Sequence, residues 1–81
     1  MSPKIRNANQ SIEDVAFKYY RGLYTIKNAQ NALCFIINEV LHEPYVDVID
    51  FLKGNEKILN DFDVTVGHKG NRVTAIARQR G

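Results

Sequence analysis

TIKNAQNALCFIINEVLH, Thr25 to His42, is the longest uninterrupted helix-compatible run in the chain, and its second half is the most apolar part. Ile26, Ala29, Leu33, Ile36 and Val40 recur at steps of three and four. Ala32, Ile37 and Leu41 widen that stripe, and Phe35 sits at its margin. A period near 3.6 with a broad apolar face predicts a core helix over 25–42. Thr25 is its expected N-cap. Pro44 ends it, because proline disfavours a helical residue before it and has no N–H to donate. His42 then falls in the last turn, where a cationic imidazole suits the helix dipole.

Working back from Thr25, Ile12, Val15, Ala16, Tyr19, Tyr20 and Leu23 step along one face, which predicts a helix over 11–22. Ser11 and Asp14 have capping-box spacing, and Gly22 marks a stop or bend before Tyr24. Met1 to Gln10 shows no clear period and reads as a flexible arm.

Working forward, Pro44 opens a third helix over 44–53. Tyr45, Val48, Ile49 and Leu52 form its inner face, flanked by Val46 and Phe51. Gly54 is the expected stop, and 55–61 can add a turn with Ile58 and Leu59 inward. The period then changes to two. Phe62, Val64 and Val66 alternate with Asp63 and Thr65, giving a strand over 62–67. Residues 67–71 form a turn, and 72–78 a second strand. The expected fold is α+β: three helices, then a hairpin whose apolar face packs on them. Residues 11–78 form the domain and 79–81 a frayed tail. The exposed hairpin edges make a homodimer credible.

The chain has 81 residues, 44% hydrophobic and 25% charged, the profile of one small globular domain. Its single cysteine, Cys34, excludes an internal disulfide and reads as a buried small hydrophobe. No apolar run approaches 18 residues, so a membrane span of its own is not expected, nor is a signal segment. The net charge of +2 is uneven: residues 1–38 carry +3, 39–63 carry −5 and 64–81 carry +4.

No catalytic constellation stands out. His42 and His68 lack metal-ligand spacing, and Glu39 and Glu43, four apart, make a solvated helix edge. So short a chain has little room for a pocket with converging titratable groups. The expectation is therefore no enzyme, no cofactor and no metal. His68, Lys69, Arg72, Arg78 and Arg80 place positive charge at one end, and Tyr19, Tyr20 and Tyr24 could stack on bases. That is the alternative, a nucleic-acid binder or host regulator. The GHKG letters at 67–70 have the form of a backbone-clamping GxxG loop, but such a loop joins helices and this one joins strands. Four Tyr and four Phe in a small domain favour a protein-binding surface over a catalytic cleft.

The run from Asn7 to Leu52, NANQSIEDVAFKYYRGLYTIKNAQNALCFIINEVLHEPYVDVIDFL, with His42 before Glu43-Pro44, resembles the small cytoplasmic antiholins of T-even phages. The resemblance implies a regulator of lysis timing in the host cytoplasm. It would sit at the inner membrane only through its partner, the cytosolic N-terminal region of a phage holin. Its binding would delay hole formation. The family offers no catalytic residues. His42, Tyr45, Val46 and Phe51 are the expected contact residues, with the plainer alternative that His42 only finishes its helix.

Overall fold

The computed structural model describes residues 2–69 and 72–80, with the side chains of 68, 69 and 72–74 outside the description. Four helices precede an antiparallel hairpin: α1 (Pro3–Tyr20), α2 (Ile26–Val40), α3 (Tyr45–Gly54), α4 (Glu56–Leu59), β1 (Phe62–Lys69) and β2 (Arg72–Gln79). The α+β class expected from the sequence is the one observed.

The first helix begins eight residues earlier than its expected start at Ser11. Ser2 is the N-cap, its hydroxyl accepting the Ile5 amide at 3.2 Å, and Pro3 takes the first turn, where a missing N–H costs nothing. Ile5 and Ala8 extend the stripe of Ile12 and Val15 backwards at steps of three and four, and all four are buried. The flexible arm expected over 1–10 is therefore helical from Pro3 onwards. Asn7 and Gln10, which disguise the period, point to solvent. Ser11 lies exposed in mid-helix and caps nothing.

The α1–α2 break falls where expected. Gly22 adopts φ +76°, open to glycine at little cost. Its amide donates to the Tyr19 carbonyl and that of Leu23 to the Lys18 carbonyl, closing the helix with a Schellman pair. Thr25 caps α2, accepting the Asn28 amide at 3.1 Å. Leu23 and Ile26, expected to face the core, are 68% and 40% exposed, because the turn swings both outward.

α2 is the central element, as its stripe predicts. Ala29, Leu33, Ile36, Ile37 and Val40 are buried; α1 packs along one side and β2 along another. The helix stops at Val40, and His42 lies in the turn that follows. Pro44 is the residue before α3, extended at φ −54° and ψ 145°. Within α3 the core residues are Val48 and Phe51, whereas Tyr45 is 77% exposed. The inner face is thus rotated from the expected one.

β1 and β2 pair one-for-one from Phe62↔Gln79 to Lys69↔Arg72, with no bulge. The ladder runs two residues beyond the expected end of the first strand, and residues 70 and 71 of the expected turn lie outside the described residues. Gln79 belongs to β2, and the Arg80 amide donates to the Asp61 carbonyl at 3.1 Å, so pairing reaches into the expected frayed tail. Phe62, Ala75 and Ala77 turn one face of the hairpin into the core.

Candidate partner-binding surface

The α2–α3 corner and the open side of β1 meet at a groove. α2 ends by returning the Leu41 amide to the Ile37 carbonyl and the Glu43 amide to the Val40 carbonyl. Pro44 then redirects the chain, and α3 begins with its first two side chains uncovered: Tyr45 at 77% and Val46 at 67% exposure. Beside them a groove of about 490 Å³ is lined by Leu41, Glu43, Tyr45, Val48, Ile49, Leu52 and Val66. Six of these seven are apolar or aromatic, with Glu43 the one charged member.

Of the residues singled out in the sequence, His42, Tyr45 and Val46 fall together on this corner, all exposed. Phe51 does not join them. It is 0% exposed, at the centre of the core, because the rotation of α3 that frees Tyr45 turns Phe51 inward. It cannot be a contact residue in the folded chain. Ile49, Leu52 and Val66, whose sequence pattern places them on core faces, belong to the groove. Val66 carried the one usable signal, as the last member of the apolar alternation of β1 before the turn.

At the basic end, one of the two arginines with described side chains is paired. The Arg80 side chain donates to Asp63 at 2.7 Å. Arg78 is exposed, and the side chains of His68, Lys69 and Arg72 lie outside the described residues. The tyrosines near the end of α1 are also engaged. Tyr19 packs on Phe62, ring centroids 5.6 Å apart, and Lys18 lies over the Tyr24 ring at 5.3 Å. The Tyr20 hydroxyl donates to Asp61 at 2.7 Å and lies 2.9 Å from the Lys57 carbonyl. Partial burial, with the Asp61 hydrogen bond and charge adding to it, pushes the Tyr20 phenol up to about 12. Tyr19 and Tyr24 each have a ring contact within the fold, whereas the Tyr20 ring stays 47% exposed.

Among the described residues, no three His, Cys, Asp or Glu side chains stand close enough to hold a metal ion. Among the same residues, no helix is long and apolar enough to cross a membrane. Compared with known proteins, the chain matches no family model, no curated protein and no solved structure.

Proposed function

We propose that the chain is a binding protein, not an enzyme, and that it acts as a cytoplasmic regulator of the antiholin type. On this reading it takes the cytosolic N-terminal region of a phage holin at the α2–α3 corner and delays hole formation. The observation that carries the reading is the pairing of exposed Tyr45 and Val46 with an apolar groove beside them. An aromatic anchor next to an apolar seat is what a protein partner's hot spot requires. The resemblance of residues 7–52 to the phage antiholins supplies the partner.

The mechanism is linkage. A protein that binds the unassembled holin better than the hole-forming state shifts assembly by its differential affinity. A 100-fold preference is worth about 2.7 kcal/mol for each holin bound. Because holes form cooperatively, that shift delays the trigger.

The test is a titration of the folded chain with a soluble holin N-terminal peptide, before and after Tyr45→Ala. Binding weakened at least tenfold in the variant, with unchanged circular dichroism, supports the placement. Unchanged affinity rejects the corner, and no binding by the parent chain rejects the partner.

A further inference from the structure

The two edges of the hairpin are not alike. Along β2, the Ala75 amide donates to Asn38 Oδ1 at 3.1 Å and the Ala77 amide to Cys34 Sγ at 3.2 Å. Gln30 Nε2 donates to the Ala77 carbonyl at 2.7 Å. The backbone groups of Ala75 and Ala77 therefore point away from β1, toward α2. In an antiparallel pair, residues opposite one another point their backbone groups the same way with respect to the ladder, both inward or both outward. Their partners Val66 and Val64 must then direct their own N–H and C=O outward, from the other edge. Among the described residues nothing bonds to those groups.

That edge has the features of a pairing template. The β1 register is continuous, without the proline or bulge that commonly spoils an edge, and its charges stand only near its two ends. Its core-side residue Val66 remains 45% exposed at the rim of the groove.

We infer that β1 pairs antiparallel with β1 of a second copy of this chain, giving a four-stranded sheet across a two-fold axis at Thr65. The chain's own charge selects this occupant and orientation. β1 is approached through Asp61 and opens with Asp63, and it closes with Lys69. Antiparallel self-pairing centred on Thr65 sets Asp61 of one copy opposite Lys69 of the other, whereas parallel pairing would align like charges. The same register places Val64 of one copy beside Val66 of the other, both on the apolar face. It also pairs the outward N–H and C=O of the two residues reciprocally. The inference is independent of the holin reading, since it rests on the ladder and not on Tyr45.

The experiment is sedimentation velocity of the full chain over a concentration series, with two variants. Val66→Pro removes one outward amide, a donor that no intramolecular bond uses, at a position where an edge strand tolerates proline. Thr65→Cys in a Cys34→Ser background places two thiols across the axis, at the close spacing of a non-hydrogen-bonded pair, where a disulfide fits. The expected results are a concentration-dependent dimer, a folded monomer for Val66→Pro, and rapid cross-linking of Thr65→Cys when diamide is added as the two-electron oxidant. Arg78→Cys in the same background, on the same face but on β2, should not cross-link. A parent chain that stays monomeric throughout overturns the inference. So does a dimer in which Arg78→Cys cross-links as fast as Thr65→Cys. If Val66→Pro fails to fold, the two cysteine variants decide alone. A monomer that takes up an extended foreign peptide along β1 would give the edge a different occupant and also overturn it.

Discussion

The Cys34 thiol and the Ala77 backbone amide meet 3.2 Å apart at the seam between α2 and β2. The same sulfur lies 3.6 Å from the Ala77 carbonyl, so one thiol can accept from and donate to one strand residue. Cys34 is thus a half-buried polar contact, where its sequence context predicted an inert small hydrophobe. Cys34→Ala should strand the Ala77 amide at a buried residue and cost about 1–3 kcal/mol. Cys34→Ser, which keeps an acceptor, should cost less. Urea unfolding of the two variants checks the order, and equal losses would mean that the sulfur acts by volume alone.

Ile5 makes the clearest contrast between sequence and structure. A flexible arm predicts that Ile5→Ala and deletion of residues 2–10 are both harmless. A fully buried Ile5 predicts a loss of about 2–5 kcal/mol for the substitution. Deletion of 2–10 removes both Ile5 and Ala8 from the core and should lower the melting temperature further than Ile5→Ala does. Thermal melts followed by circular dichroism decide the matter.

Asn55 is the buried polar residue among those described, and it joins three elements. Its Nδ2 donates to Asn9 Oδ1 at 2.7 Å and to the Phe51 carbonyl at 2.7 Å, tying α1 to the α3–α4 junction. Asn55→Ala removes both bonds and should cost about 1–3 kcal/mol. Asn55→Asp keeps the shape but replaces a donor by a carboxylate facing two acceptor oxygens, so it should cost at least as much. If chemical denaturation finds Asp better tolerated than Ala, the donor role assigned to Nδ2 is wrong.

Tyr20 gives a pH-dependent signature. Its phenol has an ordinary value of 10 and is pushed up to about 12, first by desolvation and then by Asp61, so the fold favours the neutral form. Its stabilisation is therefore complete below pH 10 and is lost as pH rises from 10 through 12. The stability difference between the parent chain and Tyr20→Phe should shrink across that window. A difference that stays flat in unfolding curves at those pH values would remove the assignment.

Tyr45 and Val46 should be almost silent in stability. Truncating either to Ala in the free chain should change stability by no more than about 0.5 kcal/mol, because both are largely exposed. Phe51→Ala should instead cost about 3–5 kcal/mol. Unfolding measurements on the three variants separate surface from core.

How much was legible follows from how each element is held. α2 could be read because its period, its cap at Thr25 and the stop at Pro44 all agree. The hairpin could be read because the period switches to two at Phe62. The start of α1 was hidden because polar residues fill the gaps between Ile5, Ala8 and Ile12, and the cap is Ser2, not the better-placed Ser11. The rotation of α3 was hidden because Tyr45, Val48, Ile49, Phe51 and Leu52 support two overlapping apolar faces. Only packing against α1 and the core chooses the one centred on Val48 and Phe51. The groove and the unlike hairpin edges are tertiary features. Gln30, Cys34 and Asn38 stand four apart on one line of α2, a spacing visible in the sequence, but nothing local says that a strand lies opposite.

That row of three side chains has a consequence for how far self-association can go. Fibrous growth needs a strand that can recruit on both sides, each newcomer offering a fresh edge to the next. Here α2 covers the middle of β2 with an amide, a thiol and a second amide, so every copy carries one reactive edge and one whose central groups, at Ala75 and Ala77, are already engaged. When two reactive edges meet, both are consumed and no template remains. The chain can expose a regular, unblemished strand and still be protected from filament formation, because its own central helix terminates the reaction after a single step.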